Sequence, residues 1–366
     1  MKILSIETSC DETAAAIVED GRKVLANVIA SQIDLHAKTG GVVPEVAARE
    51  HVLKMVPVLE ECLEKGGCDW DDIEAIAITK GPGLISSLII GTETANVISY
   101  VKNKPLIPVQ HITGHIYSNW LYEINGVEND EPQFPIIILT VSGGHNELIL
   151  MTDHHKFEVL GETLDDAAGE AFDKVARILG LGYPGGPAIS KLALKGDKMK
   201  FKLPQAFLEK GSLNFSFSGL KTSVLNATKK NAGKINEQFK ADMAASFQEA
   251  VVEVLSEKLM MAAEKFTKIR EIHLAGGVSA NTRLREMIQQ KLNIFNQKFG
   301  RKINFRHPQS FNYCTDNAAM IASAGYYLYK AAPKKFKKKT NIIPVTSFEI
   351  GEKCFHHLSG NNQNMW

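Results

Sequence analysis

The stretch MKILSIETSCDET, residues 1–13, is an alternating apolar strand that ends in a short polar turn. Two further apolar strands follow it directly. The same order returns 133 residues later, from Ile3 to Ile136, where residues 135–141 lead into a second polar turn at 142–146. Because this supersecondary unit occurs twice, the sequence predicts a duplicated domain.

Strands and helices alternate through the remainder of the chain. Segments 44–64, 165–179 and 235–267 have helical character, whereas 73–79 and 271–274 are short apolar strands. This alternation is typical of an α/β fold. The length of 366 residues predicts two lobes rather than one core.

The composition is that of an ordinary globular protein, with 44% hydrophobic and 23% charged residues. A net charge of +1 gives no overall attraction to nucleic acid or membranes, so an RNA-binding surface must be a local patch. The first residues enter a strand rather than a signal peptide, and no apolar run is long enough to span a bilayer. Five cysteines without a CxxC pair indicate reduced thiols, so we expect a cytoplasmic protein that does not bind membranes.

A candidate metal site begins with HITGH, residues 111–115, directly after an apolar strand at 105–110. His111 and His115 are four residues apart, so a helix places both imidazoles on one face, and neutral imidazole is a common metal ligand. The spacing is that of the zinc-protease motif, but Ile112 replaces its catalytic glutamate, so a protease would lack its general base. The alternative interpretation is two histidines on a solvated or core helix face.

Asp316 is the best candidate for a third ligand. It lies at the start of a predicted helix at 315–329, where the alternative role of an acidic side chain is to begin the helix. Two histidines and one carboxylate leave coordination positions open, which is the usual arrangement for a metal that takes a substrate. Cys314 is adjacent, but a lone cysteine is more often a small buried apolar residue.

Paired glycines follow two apolar strands, in the segments 141–145 and 275–279. Without a Cβ, the backbone there can approach a ligand closely, and ligands of open α/β folds bind at the carboxyl ends of strands. Either pair alone would indicate only a tight turn, but two in matching positions favour a nucleotide. The sequence contains neither a Walker-type loop nor a GxGxxG after the first strand, which excludes those two kinds of nucleotide site.

Acidic residues cluster in two places. Asp11 and Glu12 lie in the first hairpin turn, where paired acids act on a phosphate-bound metal, act as a general base, or simply form the turn. Asp166, Glu170 and Asp173 share one face of a predicted helix. Such a face is usually solvated, but one of these carboxylates, if it faced a cleft, would hold substrate hydroxyls or an amine.

With these residues identified, the chain resembles the tRNA adenosine threonylcarbamoyltransferase family, formerly described as sialoglycoprotein endopeptidases. The resemblance covers about residues 1–330 and is carried by motifs spread along the chain: IETSCDET (6–13), GGVVPEVAAREH (40–51), TKGPGLISSLIIG (79–91), HITGH (111–115), TVSGGH (140–145), LDDAAGEAFDKVARILGLGYPGGP (164–187), FSFSGLKT (215–222), HLAGGVSANTRLR (273–285) and YCTDNAAMIA (313–322). The segment GGVVPEVAAREH is similar to the bacterial form of the family.

The resemblance implies a duplicated actin-like ATPase fold of the sugar kinase and actin superfamily, with two lobes and a cleft between them. The N-terminal lobe would be residues 1–110, completed by 316–333. Residues 111–315 would form the C-terminal lobe with helical insertions. No family pattern matches residues 334–366, which we expect to be a loosely ordered tail.

The activity implied by the resemblance is transfer of the threonylcarbamoyl group from threonylcarbamoyl-AMP to N6 of the adenosine next to the anticodon, in tRNAs that read codons starting with A. By motif position, His111, His115 and Asp316 would bind one divalent metal ion, Fe²⁺ or Zn²⁺, and Asp11 would be the catalytic acid–base or positioning group. The implied substrate-binding residues are Thr140, Val141, Ser142, Gly143, Gly144, Asp173, Gly186, Ser190 and Asn281. The implied partners are tRNA, a paralogous scaffold protein and a small ATPase.

Three other functions compete with this one. A small-molecule kinase or ATPase of the same superfamily would not need the HxxxH pair together with Asp316. A metalloprotease would need the glutamate that Ile112 replaces. The third is a non-catalytic binding partner in a complex, and transfer assayed with and without the partners would separate a self-sufficient enzyme from a subunit that needs activation.

Overall fold

In the computed structural model, which describes residues 1–128, 130–205, 211–336 and 341–351, the N-terminal repeat forms the middle of a six-stranded sheet. Its strands are β1 (Lys2–Glu7), β2 (Glu12–Glu19), β3 (Lys23–Ser31), β4 (Ala75–Gly81), β5 (Leu106–Gln110) and β6 (Tyr122–Glu123). The order across the sheet is β5-β4-β1-β2-β3-β6. β1, β2 and β3 form an antiparallel meander, while β4 lies parallel to β1 and β5 parallel to β4.

The second repeat forms a sheet with an equivalent arrangement. Its strands are β7 (Ile136–Val141), β8 (Asn146–Asp153), β9 (Lys156–Glu162), β10 (Glu271–Ala275) and β11 (Asn304–Arg306). The order is β11-β10-β7-β8-β9, with an antiparallel meander β7-β8-β9 and parallel neighbours β10 and β11. Each strand from β1 to β5 therefore has a counterpart from β7 to β11, which confirms the predicted duplication.

Along the chain, helices connect the parallel strands of both sheets. The α-helices of the described residues are α1 (Ile33–Ala37), α2 (Pro44–Gly66), α3 (Ile85–Lys102), α4 (His111–Tyr117), α5 (Ala168–Leu179), α6 (Gly185–Ala193), α7 (Ser218–Lys230), α8 (Glu237–Lys265), α9 (Thr282–Phe299) and α10 (Ala318–Ala331). Short 3₁₀ helices are Ser118–Trp120, Ala232–Lys234, Gly277–Ala280, Phe311–Tyr313 and Pro333–Phe336. None of these helices combines the length and apolar character that crossing a membrane requires.

The last strong helix, α10, packs against β1, β2, β4 and β5, although nearly the whole chain separates it from β1. Of its nine buried residues, four are alanines and one is Gly325, and these small residues let the helix approach the sheet closely. The Ser5 hydroxyl also donates to the Ala318 carbonyl at 2.6 Å. The C-terminal helix is therefore a structural part of the first sheet's core.

The chain divides into two compact units, Met1–Glu131 with Gln309–Trp366, and Pro132–Pro308. These limits differ from the predicted lobes 1–110 and 111–315. The difference arises because α4 packs against α10 and so belongs to the first unit together with β5.

Residues 341–351 also differ from the loosely ordered tail predicted for 334–366. They form neither helix nor strand, but Ile342 and Phe348 are buried in the first unit. The rest of the predicted tail beyond the 3₁₀ helix, at 337–340 and 352–366, lies outside the described residues.

The close approach of α10 to β4 predicts the effect of enlarging Gly325. A Cβ there would lie 2.9 Å from the Ala77 Cβ, so Gly325→Val must push α10 away from the sheet. We expect a loss of about 1–3 kcal/mol in the free energy of unfolding, measured with urea. Ala331→Val, at the exposed end of the same helix, should stay within about 0.5 kcal/mol of the wild type. Equal stabilities of the two variants would contradict this packing.

Candidate functional site

The three predicted metal ligands meet in the first unit. The Asp316 Oδ1 lies 3.1 Å from the His115 Nε2 and 3.4 Å from the His111 Nε2. One potential ligand atom from each residue lies within 4.8 Å of the others, and both imidazoles are buried. Two ligands about 2.1 Å from a tetrahedral ion are about 3.4 Å apart, so these separations fit a shared metal ion.

Local structure explains how α4 presents the two histidines. The helix begins where β5 ends, and the Gln110 side chain caps it by accepting the Thr113 N–H at 2.6 Å. The four-residue spacing then places the two rings edge to face, with an interplanar angle of 82° and centroids 4.8 Å apart. The alternative of a solvated helix face is wrong, since all seven residues of α4 are buried.

Asp316 does not cap α10, so the helix-start alternative is wrong. Asn317 is the cap, and its Oδ1 accepts the Met320 N–H at 3.0 Å. The helix consequently begins at Ala318 rather than at 315. This arrangement leaves the Asp316 carboxylate directed toward the two imidazoles.

Glu7 is a site residue that the sequence analysis missed. Its Oε2 lies 3.0 Å from the His111 Nδ1 and also accepts the Thr79 hydroxyl at 2.5 Å. Its Oε1 accepts the Ser9 N–H. A carboxylate on the second nitrogen of a histidine fixes the ring orientation and leaves Nε2 for a metal ion. The signal in the sequence was an acid at the last position of an apolar strand, and the structure shows that this acid is fully buried.

The charges in this cluster determine the protonation of its members. Burial opposes a charge on His111, but the carboxylates of Asp316 and Glu7 outweigh burial and hold the pKa of the imidazole well above its usual range. Burial likewise opposes ionisation of Asp316, yet the two histidines lower the pKa of its carboxyl. Two carboxylates facing one imidazolium leave an excess of negative charge, which suits a cation.

The predicted acidic turn is only partly a turn. Asp11 lies in it, is buried, and accepts the Gln32 N–H with its backbone carbonyl at 3.1 Å. Glu12 instead begins β2. Burial, together with the negative charges of Asp316 and Asp11, raises the pKa of Glu12 well above its usual range. Because Glu12 lies in β2, the interpretation that it forms the turn is wrong.

In the second unit, the two predicted glycine turns lie side by side. Thr140 pairs with Ala275 at the carboxyl ends of β7 and β10. Gly276 has φ +84°, and a Cβ there would lie 2.6 Å from the Val141 carbonyl oxygen, so this close approach requires glycine. Both turns therefore lie at the carboxyl ends of strands, as predicted, and the structure shows in addition that these two strands are neighbours.

Backbone carbonyls of the turn at 142–144 accept hydrogen bonds from the first turn of α5, and the outer face of the glycine turn is open. The Ser142 carbonyl accepts the Gly169 N–H at 3.2 Å, and the Gly143 carbonyl accepts the Glu170 N–H at 3.1 Å. Among the described residues, nothing lies within 4 Å of where a Cβ would sit on Gly143 or Gly144. A ligand can therefore approach this backbone closely.

The other predicted substrate-binding residues form small contacts within the second unit. The Asn281 Nδ2 donates to the Ser190 Oγ at 3.1 Å and to the Gln248 Oε1 at 2.8 Å, while its Oδ1 caps α9. The sequence analysis missed Gln248. The signal in the sequence was a glutamine within a long, largely apolar helical segment, which the structure shows as the buried part of α8. Gly186 follows Gly185 and has open space where a Cβ would be.

The three predicted acids, one just before α5 and two on it, make two different kinds of contact. Asp166 and Glu170 both pair with Lys174, each at 2.7 Å, which supports the solvated-face alternative for these two. Asp173 instead accepts the Gly185 N–H at 2.7 Å and caps α6. Burial raises the pKa of Asp173 despite this hydrogen bond.

Comparison with known proteins identifies the family. Residues 23–323 match the family described as tRNA N6-adenosine threonylcarbamoyltransferase. The chain belongs to this family. Two relatives carry the same name: the Symbiobacterium thermophilum protein is 50% identical over 349 residues, covering 95% of this chain and 97% of the relative. The Bacillus subtilis protein is 51% identical over 325 residues, covering 89% and 90%.

A solved structure of full-length HypF, in the phosphate- and nucleotide-bound form, shares the fold. Its TM-score is 0.55 at 14% sequence identity, over 90% of this chain and 46% of that chain. The duplicated actin-like α/β fold is thereby confirmed. Family membership makes the protein a tRNA threonylcarbamoyltransferase with tRNA as its substrate, and the kinase and protease alternatives are wrong.

We expect Asp173→Asn to remove part of the pH dependence of stability. Since burial raises the pKa of Asp173 above 3.8, its contribution is favourable below 3.8 and is lost as the pH rises from there through the folded value. Asparagine keeps an oxygen for the Gly185 N–H but does not ionise. Urea unfolding at about pH 4 and about pH 7 should therefore show a smaller pH-dependent loss for the variant than for the wild type. Identical losses would refute this assignment.

Proposed function

We propose that the donor in this family member is threonylcarbamoyl-AMP and that the acceptor is N6 of the adenosine next to the anticodon in tRNAs reading codons that start with A. We also propose that transfer depends on one divalent ion, Fe²⁺ or Zn²⁺, held by His111, His115 and Asp316. The observation that supports the metal most strongly is the meeting of these three side chains, with Glu7 behind His111. Two imidazoles and a carboxylate are a donor set that suits either ion.

In the proposed reaction the adenosine amine attacks the carbamoyl carbon, the bond from that carbon to the AMP phosphate oxygen breaks, and AMP leaves. When bound, the ion would act as a Lewis acid toward an oxygen of the threonylcarbamoyl group. The protein supplies no nucleophile, so its residues bind, orient and accept a proton. Asp11 is proposed as the group that takes the proton from the amine or positions it.

The second unit is proposed to bind the adenylate. The open backbone from Thr140 to Gly144 would place N–H groups against phosphate oxygens, which stabilises a leaving phosphate. Asp173, Gly186, Ser190 and Asn281 are proposed as further contacts to the adenylate or threonyl moiety. The hydrogen bond from Asn281 to Ser190 supports a pre-arranged polar surface there.

Asp316→Ala and His115→Ala should each abolish transfer and bound metal while leaving the fold intact. Either change removes one of three ligands, which leaves the ion too few donors for tight binding. Metal content is measured by elemental mass spectrometry, and transfer by nucleoside mass spectrometry of tRNA incubated with threonylcarbamoyl-AMP. His155→Ala, in the turn between β8 and β9, is the matched control and should keep both. Wild-type activity with retained metal in Asp316→Ala would remove the metal assignment.

We propose that the paralogous scaffold protein binds an apolar face on α2 and α3, that a small ATPase completes the complex, and that the complex works in the cytoplasm. The face is supported by large apolar side chains that are at least 58% exposed although the two helices pack together: Val52, Leu53, Val56, Val97, Tyr100 and Val101. Exposed apolar patches of this kind mark protein interfaces.

Val97→Asp should weaken binding of the scaffold protein at least about tenfold, because a charge at a buried interface must lose its water. Isothermal titration of the purified proteins gives the dissociation constant. Leu194→Asp changes an equally apolar and 86% exposed residue of the second unit and should bind like the wild type. Unchanged binding by Val97→Asp would place the scaffold elsewhere.

A further inference from the structure

Residues 341–351, hereafter the strap, are fixed to the first unit at two buried side chains. Ile342 is 1% exposed and Phe348 is 6% exposed, whereas most residues between them are exposed. Asn96 of α3 holds the first anchor twice, since its Nδ2 donates to the Ile342 carbonyl at 3.1 Å and its Oδ1 accepts the Ile342 N–H at 2.9 Å. The strap is therefore held at a defined place despite lacking regular secondary structure.

Between its anchors the strap crosses the carboxyl ends of β4 and β5. The Val345 N–H donates to the Lys80 carbonyl at 2.9 Å, and the Lys80 ammonium lies 5.4 Å from the centre of the Phe348 ring. A Cβ on Gly81 would overlap the Val345 carbonyl oxygen, so the strap and the strand end are in close contact. Gly81 is also opposite Gln110 in the sheet register.

The second anchor reaches the helix that carries the histidines. The Gln110 Nε2 donates to the Phe348 carbonyl at 2.9 Å, while its Oε1 caps α4 at the Thr113 N–H. Glutamine is not among the preferred helix caps, and its long side chain needs to be held to act as one. Because α4 has only seven residues, it depends on such contacts rather than on its own stability.

We propose that the strap positions the metal-binding histidines. Through the Phe348 carbonyl it fixes the Gln110 amide, the amide fixes the first turn of α4, and this turn sets the directions of His111 and His115. Gln110 and Phe348 are thus positioning residues. The inference rests on the proposed metal site, which it extends to a segment 32 residues beyond Asp316, at Phe348.

The test measures affinity for Co²⁺ as the probe ion, from its visible absorption in competition with a chelator. Gln110→Glu keeps the oxygen that caps α4 but loses the N–H for Phe348. A chain ending at residue 347 loses the Phe348 carbonyl, and the matched chain ending at 351 keeps the whole strap. We expect the dissociation constant to rise about tenfold or more for the first two proteins, with an altered absorption band, and to stay at the wild-type value for the third.

A loss of stability alone would not reproduce this result. Met55→Ala opens a cavity under α2, which packs on β2, β3 and α3, and it should lower stability while binding Co²⁺ like the wild type. If the chain ending at 347 does not fold, Gln110→Glu alone tests the positioning role, because this variant keeps every residue of the strap. Wild-type affinity in Gln110→Glu would overturn the positioning role although the metal site stands. A wild-type protein that binds no ion would overturn both proposals.

Discussion

The buried contact between Glu7 and His111 is the constraint on which the first unit depends. A buried carboxylate costs several kcal/mol unless it is paired and hydrogen-bonded. Here the Glu7 oxygens are matched by the His111 ring, the Thr79 hydroxyl and the Ser9 N–H, which come from β5–α4, β4 and the loop after β1. These segments must therefore be in register at once, and Asp316 adds a second carboxylate to the same imidazole.

The two repeats share a topology but carry different residues at the equivalent edge of the sheet. In the first repeat the carboxyl ends of β1 and β5 carry an acid, Glu7, and a histidine, His111, whose charges interact with that of the partly exposed Asp316. In the second repeat the equivalent edge carries glycines, and its open backbone offers hydrogen-bond donors instead of charge. Duplication thus supplies one scaffold twice, and the residues at the strand ends give each copy its own chemistry.

Periodicity and motifs predicted the duplicated fold, the helix that carries the two histidines, and Asp316 as the carboxylate that lies beside them. They failed where single residues act through long-range contacts. Glu7 was missed because an alternating strand pattern shows only which face is apolar, not what meets its last side chain. The strap was missed because its two buried side chains, six residues apart, form no repeating apolar pattern. The predicted limit of the first unit differed because α4 packs against α10, which lies about 200 residues later in the sequence.

The hydrogen bond from Ser5 to Ala318 joins residues 313 positions apart, and it has a consequence for synthesis on the ribosome. The second unit, Pro132–Pro308, is continuous and is translated before α10 emerges. The first sheet, by contrast, lacks α10 until the second unit has been translated, although α2 and α3 already pack on it. Nascent chains that have not yet reached residue 316 consequently have both histidines but no Asp316, so the enzyme acquires its His–His–Asp triad only after the second unit has been translated.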